Sequence, residues 1–130
     1  MNIVIVVSDT LRRDFLRCYG NSWMKTPYID KFAQMSIIFS RAYLSSFATV
    51  PMRRDLFTGR YSFSYTPWSR LGEEEKVVLS EILNEAGYIM QLVADTPHPF
   101  REGMNYQRGF QGWIWIRGQE NDRYITDEWR

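Results

Sequence analysis

Five apolar residues in a row, Ile3 to Val7, run into Ser8-Asp9-Thr10. Most are β-branched, and an unbroken run of that length predicts a strand buried on both faces. Residues 26–35, "TPYIDKFAQM", change to helical spacing, with Thr26 as N-cap and Pro27 in the first helical position. "SIIFSRAYL", Ser36 to Leu44, predicts a second strand. "FATVPMRRDLFTGR", Phe47 to Arg60, predicts a turn and a short helix closed near Gly59. Residues 61–70 are loop. "GEEEKVVLSEILNEAG" predicts a longer helix. Glu73, Glu74 and Glu75 would sit in its first turn, Val78, Leu79, Ile82, Leu83 and Ala86 would form one stripe, and Gly87 would stop it. "YIMQLVADT" predicts a third strand, again ending in Asp-Thr. Beyond Pro97 the chain is irregular, with "GWIWI" as a short strand. The order strand, helix, strand, helix, helix, strand predicts α/β architecture, a mainly parallel sheet flanked by helices.

Composition narrows this little. At 130 residues the chain suits one small domain. The 45% hydrophobic and 24% charged residues are ordinary for a globular protein, while 16% aromatics suggest a surface to be covered or to hold a ligand. A net charge of +1 provides no global field for nucleic acid or an anionic membrane, so neither is expected as a partner. No apolar run reaches the length of a membrane span. The single cysteine, Cys18, and a start without basic n-region or cleavage site lead to a cytoplasmic expectation.

Several polar residues stand where such a fold places its chemistry. Asp9 closes the first strand, where carboxylates bind divalent cations or cap turns. Thr49 opens a helix, where the dipole favours anions. Arg53, one turn on, can reach the same place with a guanidinium suited to phosphate or sulfate. A free hydroxyl is a poor nucleophile at neutral pH, so Thr49 as nucleophile calls for a metal. The plainer alternative makes Thr49 an N-cap, with Arg53 and Arg54 on a solvated face. His98, the sole histidine, lies between two prolines after the third strand, in a catalytic or a structural place. Asp95 has the same standing. No G-x-G-x-x-G or P-loop follows any predicted strand.

Four blocks in order carry a resemblance. They are "NIVIVVSDTLRRDFLRCYGN", "TPYIDKFAQMSIIFSRAY", "TVPMRRDLFTGR" and "LSEILNEAGY". Together they resemble the N-terminal portion of the catalytic domain of the sulfatase family, within the alkaline phosphatase superfamily. The resemblance implies an alkaline-phosphatase-like fold, incomplete in these residues. It implies Asp9 as ligand to a divalent metal ion, calcium in sulfatases and manganese or zinc in phosphohydrolase relatives. Thr49 takes the nucleophile position, and Arg53 is the arginine that steadies it. The second acidic ligand of the family is here Thr10, which makes Thr10 a candidate ligand.

Departures from the family pattern shape the expected chemistry. Sulfatases carry Cys or Ser at the nucleophile position, oxidised to formylglycine; the extra methyl of Thr49 blocks that oxidation. Threonine nucleophiles occur in phosphodiesterase and phosphotransferase members of the superfamily. The small residue of the signature is Met52, and the lysine before the family's histidine is replaced, with His98 offset by one position. The implied function is metal-dependent hydrolysis of a small-molecule sulfate or phosphate ester, phosphate preferred, with Thr49, Arg53 and His98 as catalytic residues. The alternative is a truncated or degenerate homologue that acts by binding or with a partner chain. A parallel sheet lacking later strands would also expose an edge and lead to association, with itself or with a missing C-terminal part.

Overall fold

The computed structural model describes residues 1–62 and 64–119. They contain three α-helices and two β-strands: α1 (Pro27–Gln34), α2 (Thr49–Thr58), α3 (Leu79–Glu85), β1 (Gln91–Ala94) and β2 (Gly112–Trp115). Short 3-10 turns occur at Arg13–Phe15, Arg17–Tyr19 and His98–Phe100. The chain divides into two units, one over Met1–Tyr43 and one from Leu44 onward. Among the described residues no helix is long and apolar enough to cross a membrane.

In the first unit, α1 forms where Thr26-Pro27 predicts it. Pro27 lies in the first turn, where its missing N–H is no loss. Thr26 does not cap the helix with its side chain. Its hydroxyl accepts the Arg17 N–H at 3.2 Å and donates to Asp30 Oδ1 at 3.1 Å. The two strands predicted here do not form. Ile3 to Val7 forms no strand among the described residues, and Val4 and Val6 are 84% and 85% exposed. An apolar run becomes a buried strand only when neighbours supply its hydrogen bonds and cover its faces. Residues 36–44 are likewise irregular. The carbonyls of Phe39 and Ser40 are taken by Tyr19 Oη, at 3.0 Å, and by Arg13 Nη1. Side chains therefore occupy acceptors that a neighbouring strand would use.

In the second unit, a small core of Val50, Leu71, Val78 and Tyr106 is edged by Phe57 and Met104. α2 ends as expected: Gly59 adopts φ 67°, and its N–H bonds the Asp55 carbonyl at 2.8 Å. The predicted long helix shrinks to α3. Glu73, Glu74 and Glu75 lie ahead of it, not in its first turn, and Val78 is its extended N-cap. Glu75 is drawn into a buried ion pair with Arg54, and that pairing overrides local helix propensity. Of the predicted stripe, Val78 is buried, whereas Ile82 is half exposed. Gly109 lies flat against α3: an added Cβ would come within 2.7 Å of the Glu81 nitrogen. That close approach lets Arg108 clasp Glu81 through two guanidinium nitrogens.

The third predicted strand contracts to β1. It pairs with β2 in parallel, Leu92 opposite Trp113 and Ala94 opposite Trp115. Residues 95–111 make the long connection that a parallel pair needs. Side chains alternate along strands, so Trp113 and Trp115 share one face. Phe100 stacks on both, at 5.3 Å and 6.2 Å between ring centroids. The chain is thus α/β with a two-stranded parallel sheet.

Tyr106 joins these parts. It is 1% exposed, and its hydroxyl lies 3.4 Å from the Val50 carbonyl and 3.2 Å from that of Ser69. Burial, with smaller upward pushes from Glu75 and Asp55 against the lowering effect of Arg54, raises its pKa from 10.0 to about 12. Below pH 10 folded and unfolded forms both keep the proton, and the stabilisation is complete. Above it the unfolded phenol ionises first. Stability should therefore fall as pH rises from 10 to 12, by up to about 3 kcal/mol. Denaturant melts of wild type and Tyr106→Phe across that range check this, since the variant should lack the alkaline loss.

Candidate functional site

The first turn of α2 is built from both sides of the helix. Thr49 is the first helical residue, not the N-cap; Ala48 holds that place and supplies no capping side chain. Among the first-turn residues of α2 none is acidic, so its own helix leaves the positive end of the dipole unneutralised. Arg53 folds back along the helix, and its Nη1 donates to the Thr49 carbonyl at 3.0 Å. Thr49 and Arg53, paired in the sequence reading, are thus brought together, both half-buried.

The opposite side of α2 carries charge inward. Val50, Pro51, Arg54, Asp55 and Thr58 are its buried residues. Arg54 is not on a solvated face: its side chain is 2% exposed. It donates to Ser69 Oγ at 2.9 Å and to the Arg70 carbonyl at 2.6 Å, and its Nε lies 3.4 Å from Glu75 Oε1. Asp55 accepts from Ser46 Oγ, from the Ser62 N–H at 2.8 Å and from Ser62 Oγ. Burial pushes the Asp55 carboxyl up, but bonds from Ser46, Ser62 and Ser45 outweigh it and hold it below the ordinary carboxylate range.

His98 opens the 3-10 turn that packs against α2, and its ring meets Trp68 edge-on at 4.8 Å. Asp95, just past β1, is exposed, and its carbonyl accepts the Trp115 indole N–H at 3.3 Å. Asp9 and Thr10 belong to the first unit. Both are exposed, and Asp9 Oδ1 accepts the Thr10 N–H at 2.9 Å. Thr10 takes φ 55°, an uncommon conformation for a β-branched residue.

The match to a family model decides what these residues belong to. The sulfatase model matches residues 1–129, nearly the whole chain. The chain belongs to the sulfatase family. Among similar sulfatases, the N-acetylgalactosamine-6-O-sulfatase of Bacteroides thetaiotaomicron is 32% identical over 104 residues, covering 71% of this chain and 19% of that protein. The N-acetylglucosamine-6-O-sulfatase of the same organism is 26% identical over 132 residues, covering 98% and 23%. The human steryl-sulfatase is 26% identical over 134 residues, covering 83% and 23%. The chain thus spans about a fifth of the length of the curated sulfatases it matches. No solved structure matches it.

Sulfatases generally use a divalent metal, calcium. A hard cation of that kind takes six to eight oxygen ligands. Asp9 and Thr10 offer a carboxylate and a hydroxyl, and among the described residues no three His, Cys, Asp or Glu side chains gather as a ligand set. Asp9 and Thr10 by themselves would be too few ligands for such a site.

Sequence reasoning missed the buried face of α2. Positions 50, 51, 54, 55 and 58 follow helical spacing, so a face that starts on Val50-Pro51 must bury Arg54 and Asp55 as well. That spacing was the available signal. It was obscured because neighbouring Arg and Asp ordinarily indicate solvent.

Proposed function

We propose that the chain is the N-terminal portion of a single sulfatase-like catalytic domain with alkaline-phosphatase-like architecture, and that the completed, metal-dependent domain, not these residues alone, hydrolyses sulfate or phosphate esters of small molecules, phosphate preferred. In that architecture Ile3–Val7 is a strand that further strands cover. One observation carries the reading: Thr49 opens α2 with Arg53 folded onto its carbonyl, which suits the nucleophile role assigned to it in this proposal.

The chemistry assigned to these residues is direct. The anionic ester lies against the first turn of α2, where backbone N–H groups and the Arg53 guanidinium stabilise its oxygens. Thr49 Oγ1 attacks phosphorus in line and the ester oxygen leaves, taking up the proton that the hydroxyl loses. Water then releases phosphate from the phosphothreonine. Thr49 favours phosphorus because it cannot become the formylglycine that sulfate chemistry uses. His98 joins this set on the turn beside α2, and Asp9 with Thr10 is assigned to the metal. The sugar and steroid sulfates named for the relatives support a small-molecule ester as substrate class.

The test compares phosphodiesters, phosphomonoesters and aryl sulfates side by side on the full-length gene product. The expected order places a phosphoester first. A dominant aryl sulfatase activity would reverse the preference while leaving the family unchanged.

A further inference from the structure

Asp55 ties together the two stretches of chain that flank α2. Its Oδ2 accepts Ser46 Oγ from the entering segment, three residues before Thr49. Its Oδ1 accepts both the N–H and the hydroxyl of Ser62, beyond Gly59. All three residues are buried, at 6%, 5% and 0% exposure. The Tyr106 hydroxyl lies 3.4 Å from the carbonyl of Val50, the residue after Thr49.

We infer that Ser46, through its bond to Asp55, is a positioning residue for Thr49, fixing where the first turn of α2 begins. The inference rests on the assignment of Thr49 as nucleophile. Only Phe47 and Ala48 separate the tethered serine from Thr49. Three residues span no more than about 10 Å even when extended, so a fixed Ser46 leaves the turn little freedom. Displacement of a reacting group by about 1 Å costs on the order of 100-fold in rate. Ser62 binds the same carboxylate but holds the exit of the helix, remote in sequence from Thr49. The two serines thus serve as controls for each other, Ser62→Ala keeping the residue 62 N–H bond and Ser46→Ala keeping the Ser45 bond to Asp55. Each substitution removes one hydroxyl from Asp55, and only one acts on the entry.

The experiment uses Ser46→Ala, Ser62→Ala and Thr49→Ala in the full-length gene product, with the ester panel above as probe. Ser46→Ala is expected to lower kcat roughly 10- to 100-fold with KM unchanged. Ser62→Ala should stay within about 2-fold in kcat, with a lower Tm. Hydrogen exchange gives a readout independent of turnover. The Met52 amide, bonded to the Ala48 carbonyl at 3.1 Å, should exchange faster in Ser46→Ala than in Ser62→Ala. Equal kcat values for the two serine variants, or equal Met52 exchange, would overturn the inference even where Thr49→Ala is inactive. A fully active Thr49→Ala overturns the nucleophile assignment, and with it any catalytic use of the tether; the exchange rates then still decide whether Ser46 holds the turn.

Discussion

Replacing Arg54 by Ala should destabilise the protein by about 3–5 kcal/mol, the loss typical of breaking a buried ion pair on one side. The Arg54 side chain is 2% exposed and that of Glu75 is 7% exposed, so neither charge has water to fall back on. With Arg54 gone, the ion pair that remains to Glu75 among the described residues is with Arg60, at 3.8 Å and more than half exposed, a weak substitute. Ser69 Oγ and the Arg70 carbonyl lose a donor at the same time. Glu74 matters little, because it is 61% exposed and 3.8 Å away. Arg54→Met combined with Glu75→Leu should recover most of the loss, since replacing both partners with apolar groups strands neither charge. Urea unfolding of the singles and the double checks this. A loss below about 1 kcal/mol for Arg54→Ala would mean that water reaches Glu75 and that the pair is not a true interior one.

In the full-length gene product the proposed mechanism predicts that Thr49→Ala abolishes ester hydrolysis, with kcat lower by at least about 1,000-fold, because covalent catalysis by Thr49 could not proceed without its hydroxyl. Thr49→Ser should keep activity within about 10-fold, since the hydroxyl and its place at the head of α2 both remain. Under the same proposal KM should change little in either variant, because the anion is assigned to Arg53 and the helix amides, which both variants keep. Rapid quench followed by mass spectrometry should find a phosphoryl group on Thr49 in wild type and none in Thr49→Ala. Activity undiminished in Thr49→Ala would remove the proposed mechanism and return Thr49 to an ordinary first helical residue. Sulfate ester hydrolysis that survives in that variant would be the clearest form of that result.

Thr49 and Arg53 were legible as a pair because helical spacing alone places a side chain at position 53 beside the carbonyl at 49, and the structure makes that bond. Asp9 and His98 were legible as residues following predicted strands, and Thr10 through the family resemblance; among the described residues the strand before His98 forms, as β1, and the one before Asp9 does not. Ser46, Asp55 and Ser62 were not legible. Their bonds join residues seven to nine positions apart around a helix, and no local pattern marks a serine that will meet a buried carboxylate.

Local chemistry dictates α1, opened by Pro27, and the end of α2, where Gly59 alone tolerates the left-handed turn. It also dictates the segments that become β1 and β2. These features depend on neighbours within about one turn of the chain, so spacing and residue type suffice. Where α3 begins, whether Ile3–Val7 pairs, and which face of α2 is buried depend on partners distant in sequence. Glu75 leaves a good helix sequence for Arg54, and Ile3–Val7 stays exposed although its residues favour a buried strand. A buried charge must find its counter-charge, and a strand must find its neighbour. Both requirements are met, or left unmet, by the folded chain as a whole.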